Sequence, residues 1–150
     1  MAEVVAVCVS EKKGEQKHEV PQAELKEGHG VAGDAHAGDW HRQVSLLGAE
    51  SVQKVQDATD YPLFHGAFAE NILTRGIVLY ELPVGTRLRI GPCLTEVTQI
   101  GKECHLGCEI RRACGDCVMP REGIFVRVLT GGTVRAGDPI AVADGADCKE

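Results

Sequence analysis

Aromatic residues, basic residues and long apolar runs are all scarce in this 150-residue chain. Phe, Trp and Tyr together account for 4 % of the residues, whereas Gly occurs 18 times. Short runs of Val, Ile, Leu and Thr between glycines predict short strands joined by tight turns, because glycine adopts positive φ without a steric cost. No run approaches the roughly 18 apolar residues of a membrane-spanning helix. We therefore predict no association with a membrane.

A secretory leader is also lacking from the N-terminal residues. The apolar run from Val4 to Val9 follows an acidic Glu3, and no positively charged region or small-residue cleavage site surrounds it. We therefore expect a cytoplasmic protein, in a compartment where thiols stay reduced. The seven cysteines are an odd number, which does not suit a closed set of disulfides.

Positive charge is too sparse for a general nucleic-acid-binding protein. The formal net charge is -6, and neutralising nucleic-acid phosphates requires clustered Lys and Arg. Counted along the sequence, residues 71–140 nevertheless contain 9 basic and 7 acidic side chains. We predict no nucleic-acid partner, and we expect any small anionic ligand to bind this later segment.

The order of strand and turn signals predicts a mainly β protein. No Pro- or Ser-rich linker interrupts the chain, so we predict one domain over residues 1–150. Helical spacing of Val52 and Val55 predicts a helix within residues 49–60. We predict a short strand after Val20, and further strands within these segments: 4–9, 42–48, 69–79, 85–91, 93–100, 123–129 and 138–144. We expect a strongly bent antiparallel β-barrel with one or two short helices.

A glycine-rich segment at residues 28–41 carries several polar side chains. Its GxGxxG spacing at residues 28–33 does not predict a dinucleotide site, because neither a leading strand nor a following helix is expected around it. The segment also contains potential metal ligands: His29, Asp34, His36, Asp39 and His41. A metal site, a pocket for a polar ligand and an ordinary polar loop all remain open.

Four cysteines are concentrated in "GKECHLGCEIRRACGDC", at positions Cys104, Cys108, Cys114 and Cys117. They could hold a structural zinc ion, although only the last two form a C-x2-C pair. Alternatively, Cys104 is a reactive thiolate, because nearby cations lower a thiol pKa. The cations in question are Lys102, His105, Arg111 and Arg112. We expect Cys8 and Cys93, which lie in apolar strands, to be buried and inert.

Four segments in order along the chain resemble a known family. They are "GVAGDAHAGDWHRQVSLLGAESV", "FAENILTRGIVLYELPVGTRLRIG", "CLTEVTQIGKECH" and "GIFVRVLTGGTVRAGDPI". Together they resemble the MOSC domain, named after the C-terminal domain of molybdenum cofactor sulfurases, over about residues 28–142. The resemblance implies a bent β-barrel that binds the molybdenum cofactor. In some members such a domain carries sulfur as a cysteine persulfide or reduces N-hydroxylated substrates.

The resemblance also implies roles for individual residues. The family's recurring cysteine matches Cys104, which would bind molybdenum or carry sulfur. Other recurring positions match Gly33, Asp34, His36, Arg42, Glu70 and Asn71. With Lys102, His105, Arg111 and Arg112, we expect Asp34, His36, Arg42 and Asn71 to bind the cofactor. Many relatives have Pro before the cysteine, where this chain has Glu103, and an adjacent carboxylate raises a thiol pKa.

The implied partners are a cysteine desulfurase or another sulfur donor, and a molybdoenzyme or cofactor-biosynthesis protein. We expect no cysteine desulfuration by this chain alone, because the pyridoxal-phosphate domain of full-length sulfurases has no counterpart in it. Whether the chain is a sulfur transferase, a component of a molybdenum-dependent oxidoreductase or a non-catalytic zinc domain stays open. Pairing into a homodimer stays open as well.

Overall fold

Strands are the main secondary structure in the computed structural model, which describes residues 2–11, 17–35, 37–57, 63, 65–66, 68, 70–101 and 122–143. The strands of these residues are β1 (Glu3–Val9), β2 (His18–Val20), β3 (Gln22–Lys26), β4 (Gly30–Val31), β5 (Val44–Gly48), β6 (Ile72–Arg75), β7 (Arg87–Ile90), β8 (Cys93–Ile100), β9 (Ile124–Thr130), β10 (Gly132–Arg135) and β11 (Ile140–Ala143). One α-helix, α1, spans Ala49–Asp57, and a 3-10 helix spans Leu79–Glu81. The mainly β prediction is therefore confirmed, and the helix lies within its predicted segment.

The strands form two sheets. An eight-stranded sheet has the order β11-β7-β8-β9-β5-β6-β1-β2, and a three-stranded sheet has the order β10-β3-β4. Strands β5 and β6 pair in parallel, with Leu46 opposite Ile72, whereas the other pairs are antiparallel. Parallel neighbours need a crossover connection, and α1 begins directly after β5 to provide it. The prediction of a purely antiparallel sheet is wrong at this pair.

Closure into a barrel is not supported among the described residues, since no ladder joins β11 to β2. The start of β1 does approach the residues before β11: the Val4 N–H donates to the Asp138 carbonyl at 2.8 Å, and Glu3 forms an isolated bridge with Pro139. The Gly137 N–H also donates to the Val4 carbonyl at 2.7 Å and the Ile140 N–H to the Ala2 carbonyl at 3.0 Å, but Pro139 has no N–H, and no ladder between β1 and β11 forms among the described residues. The sheet therefore stays open at this seam.

Apolar side chains cover both faces of the eight-stranded sheet. The larger cluster joins it to the three-stranded sheet and includes Leu25, Val31, Leu46, Ile72 and Val134. The smaller cluster lies under α1 and includes Cys8, Leu47, Val55, Leu73 and Phe125. Leu46 and Leu47 thus face opposite sides of β5 and are both fully buried. A strand buried on both faces has the continuous apolar pattern seen in "VSLLG".

In the described part of the chain, no helix is both long and apolar enough to span a membrane.

Candidate functional site

Three of the predicted ligand-binding residues meet at one end of the eight-stranded sheet. This is the end where β1 finishes and where β5 and β6 begin. Asp34 contacts Ser10 after β1, Asn71 precedes β6, and Arg42 precedes β5. Residues far apart in sequence are therefore brought to one edge by the sheet topology.

Asp34 lies in a buried ion pair with Lys17. The Lys17 Nζ is 2.8 Å from Asp34 Oδ1, and both side chains are 0 % exposed. Lys17 Nζ also donates to Ser10 Oγ at 3.0 Å, and the Ser10 backbone N–H donates to Asp34 Oδ1 at 3.0 Å. These contacts fasten the glycine-rich segment to the end of β1. Nothing in the sequence pattern singled out Lys17, because burial of a lysine depends on a partner 17 residues away.

Asn71 connects β1 and β5 through its side-chain amide. Its Oδ1 accepts from the Ser45 N–H at 3.0 Å and from Ser45 Oγ at 3.2 Å, while its Nδ2 donates to the Cys8 carbonyl at 3.1 Å. The side chain is fully buried. The Asn71 side chain therefore supplies an acceptor for the Ser45 N–H and a donor for the Cys8 carbonyl at the start of the parallel β5–β6 pair. An amide is needed there because it provides both.

Glu70 is a buried carboxyl group next to Asn71. It accepts backbone N–H bonds from Gly66 at 2.8 Å and from Phe68 at 3.1 Å, and it is 1 % exposed. Burial raises the pKa of Glu70, and the backbone hydrogen bonds oppose that increase. We name the group Ser10, Lys17, Asp34, Ser45, Glu70 and Asn71 the buried polar cluster.

Arg42 is held differently, at the half-buried margin of the same sheet end. Its guanidinium carbon lies 5.4 Å from the centre of the Phe125 ring and 6.0 Å from that of Trp40. Its Nε donates to Gln99 Oε1 at 3.1 Å, and the same oxygen lies 2.9 Å from His41 Nε2. Among the described residues, no carboxylate pairs with the terminal nitrogens of Arg42. A stacked guanidinium with free N–H groups is suited to binding an anion.

The cysteine-rich segment leaves the sheet beside Arg42. Gln99 Nε2 donates to the Gly101 carbonyl at 2.7 Å, and the Gly101 N–H donates to the Gly123 carbonyl at 2.6 Å. At the returning end, Glu122 accepts from Ser51 Oγ at 2.5 Å and from Lys54 Nζ at 3.0 Å. Gly101 is therefore fastened to the sheet and Glu122 to α1.

Most of the predicted chemistry lies outside the described residues. These residues are His36, Lys102, Cys104, His105, Cys108, Arg111, Arg112, Cys114 and Cys117. Their roles, and the alternative zinc site at the four cysteines, stay predictions.

The remaining predictions for the glycine-rich segment can be assessed. Strand β3 leads into Gly28, so the expectation of no leading strand is wrong. Among the described residues that follow Gly33, the first helix begins only at Ala49, so the helix that a dinucleotide site requires is not found directly after the segment. The described residues contain no group of three or more His, Cys, Asp or Glu side chains that could hold a metal ion. Asp34 is committed to Lys17, and His41 contacts Gln99.

Cys8 and Cys93 are free and fully buried, as predicted. Burial raises the pKa of both thiols, and with the nearby Asp138 charge it brings that of Cys93 to about 11. Neither thiol supplies appreciable thiolate at neutral pH.

The MOSC domain family model matches residues 33–141, so this chain belongs to the MOSC domain family. The comparison with curated proteins finds no match.

Solved structures share the fold at low sequence identity. The YuaD protein from Bacillus subtilis superimposes with a TM-score of 0.71 at 18 % identity, covering 93 % of this chain and 94 % of that one. YiiM from Geobacillus stearothermophilus gives a TM-score of 0.71 at 17 % identity, over 96 % of this chain and 76 % of that one. YiiM from Escherichia coli gives 0.68 at 20 % identity, over 96 % and 70 %. This likeness concerns the fold alone.

Proposed function

We propose that this MOSC domain protein binds the molybdenum cofactor and carries sulfur for it as a persulfide on Cys104. The observation that supports this most is the position of Arg42, whose guanidinium is stacked on Phe125 where the cysteine-rich segment begins. A cation there suits both an anionic ligand and a thiolate.

The donor set of Arg42 fits the anionic part of such a cofactor. Gln99 takes only the Nε of Arg42, and the terminal nitrogens keep N–H groups that could form a bidentate contact with a phosphate. Asp34 and Asn71 fit less well, because their polar atoms already serve Lys17, Ser45 and the Cys8 carbonyl. In this proposal Arg42 contacts the ligand, whereas Asp34 and Asn71 maintain the sheet end behind it.

Cys104 is connected to the same place by covalent geometry. It follows Gly101 by three residues, so its Cα is at most about 11 Å from that of Gly101. The Gly101 carbonyl is in turn bonded to Gln99, which also binds Arg42. This covalent limit supports the assignment of the sulfur carrier and the anion contact to one ligand in the proposal.

The sulfur transfer step is balanced without an external oxidant. The Cys104 thiolate attacks the terminal sulfur of a donor persulfide, the donor S–S bond breaks, and the electron pair leaves with the donor thiolate. Discharge would follow when Cys108 attacks Cys104, forming a disulfide and releasing hydrosulfide. When bound, the cofactor supplies the molybdenum centre at which sulfur transfer, or reduction of an N-hydroxylated substrate, takes place.

The test is mass spectrometry of the whole chain after incubation with a cysteine desulfurase and L-cysteine. We expect one added sulfur on Cys104 and its loss in Cys104→Ser. Cys93→Ser is the matched control and should keep the label, because the Cys93 thiol is buried with a raised pKa of about 11. Equal labelling of Cys104→Ser would contradict the carrier role, and one zinc per chain that is needed for folding would favour the zinc alternative.

The cofactor contact is tested with Arg42→Gln, which should reduce the molybdenum bound per purified chain by about tenfold, as expected for loss of a charge-assisted hydrogen bond. Arg75→Gln is the matched control, since Arg75 is exposed and pairs with Glu3. Unchanged molybdenum content in Arg42→Gln would contradict the role of Arg42.

A further inference from the structure

A groove with a volume of about 620 Å³ lies beside the Arg42 region. Its floor is formed by β8 around Val97 and by β9 around Val128. One wall is the turn at residues 27–28, and the loop at residues 39–41 forms another. The Gly28 N–H donates to the Val128 carbonyl at 3.2 Å and the Gly38 N–H to the His29 carbonyl at 2.6 Å, which fastens these walls to β9 and to each other. A groove of this size accommodates a small molecule.

The charge of the groove is negative. Glu27, Asp39 and Glu96 line it, and among the described residues Arg127 is the only Lys or Arg in the lining, which also includes His41. Arg127 is paired with Glu96 through its Nε at 2.7 Å. Glu27 and Asp39 have no ion-pair partner among the described residues. An anionic ligand is therefore disfavoured here, and two carboxylates are available to a cation.

The floor also contains an amide donor without an acceptor. Gln43 lines the groove and is 3 % exposed. Its Oε1 accepts the Val128 N–H at 2.9 Å, which fixes the orientation of the amide. Among the described residues its Nε2 has no acceptor, so its N–H groups are left for a molecule in the groove. An amide nitrogen that reaches the groove and has no acceptor in the described part of the chain favours a ligand with a carbonyl oxygen.

Trp40 provides an aromatic wall. It lines the groove, is 37 % exposed, and is the single tryptophan of the chain. The Arg42 guanidinium carbon already lies 6.0 Å from the centre of this ring, so Trp40 serves here as a wall of the groove and as a fluorescent reporter.

We propose that this groove binds a small organic cation, specifically a primary ammonium compound that also carries a carbonyl acceptor. Its ammonium groups contact Glu27 and Asp39, and its carbonyl oxygen accepts from Gln43 Nε2. The site is distinct from the Cys104 function and does not depend on it.

The test uses the intrinsic fluorescence of Trp40, which reports on the groove without a label. L-lysinamide, which has two ammonium groups and a carboxamide, should change the emission in a saturable manner, with weaker binding at high salt. L-norleucinamide lacks the side-chain ammonium and cadaverine lacks the carboxamide, so both should bind several-fold less tightly. No saturable change with L-lysinamide would overturn the site, and equal binding of cadaverine would remove the carbonyl from the ligand class.

The double variant Glu27→Gln/Asp39→Asn should weaken L-lysinamide binding about fivefold, because two exposed ion pairs are lost. Both residues are exposed, so the fold should be retained. Glu24→Gln/Glu81→Gln is the matched control, with the same change in charge at exposed positions outside the groove lining. Equal dissociation constants for the two double variants would overturn the proposal.

Discussion

The buried polar cluster and the groove contain the same kinds of side chain in opposite states. In the cluster, Lys17 and Asp34 face each other at 2.8 Å without solvent, and Asn71 uses both its carbonyl and its amide nitrogen. In the groove, Asp39 has no cation among the described residues and Gln43 uses only its carbonyl. Carboxylates and amides therefore stabilise the fold where they are saturated, and they are available to ligands where they are not.

The largest effect is expected when the ion pair of the buried polar cluster is removed. Lys17→Met removes the cation that lies 2.8 Å from the buried Asp34 carboxylate, so we expect the free energy of unfolding to fall by about 3–5 kcal/mol. Denaturant titration measures this. Arg75→Gln breaks the exposed pair with Glu3 and should cost less than about 1 kcal/mol. Equal stability of the two variants would show that the buried Lys17–Asp34 pair contributes no more to folding than the exposed Arg75–Glu3 pair.

A second, smaller effect is expected at Asn71, which the family resemblance assigns to cofactor binding. Asn71→Ala leaves the Ser45 N–H and the Cys8 carbonyl without their partner, and should lower the free energy of unfolding by about 2–3 kcal/mol even without ligand. The control is Gln53→Ala, which removes an exposed amide bonded to Asp57 on α1. If Asn71→Ala were as stable as the control, the structural role of Asn71 would be contradicted and only the ligand-binding role would be left.

The smallest effect is expected in the pH dependence of the contribution that Glu70 makes to stability. Burial raises the pKa of Glu70 above its ordinary value of 4.5, so the folded protein binds more protons than the unfolded chain in that range. The contribution of Glu70 to stability is therefore fully present below pH 4.5 and is lost as the pH rises through the raised pKa. Each pKa unit between the folded and the unfolded state corresponds to about 1.4 kcal/mol of unfolding free energy. The difference in unfolding free energy between the wild type and Glu70→Gln should thus decline as pH increases, and a difference that grows with pH would show that the pKa is lowered.

Sequence patterns predicted much of the fold but less of the site. Strands such as β8 and β9 are short apolar runs bounded by turns, which local chemistry is sufficient to predict. β4 and β10 were missed because they begin with Gly30 and Gly132, and pairing with β3 makes them strands. At Gly30, a Cβ would lie 2.4 Å from the Gln43 carbonyl oxygen, so a close approach of two chain segments requires a glycine in that strand.

The candidate site shows the same limit. The resemblance assigned Asp34, Arg42 and Asn71 to cofactor binding, and that role stays a prediction. It did not indicate Lys17, Gln99 or Phe125, which decide how these residues are used. The parallel pairing of β5 with β6 and the open seam at Pro139 were also beyond local patterns.

By itself, the sequence determined a mainly β chain with one α-helix, buried Cys8 and Cys93, and membership of the MOSC family. Only the tertiary structure decided what each polar side chain does. Asp34 and Asp39 lie five residues apart in one glycine-rich segment, yet one is sealed against Lys17 and the other lines an open groove. The reason is physical: the state of a carboxylate depends on burial and on partners brought by distant strands, and neither is encoded in its immediate neighbours.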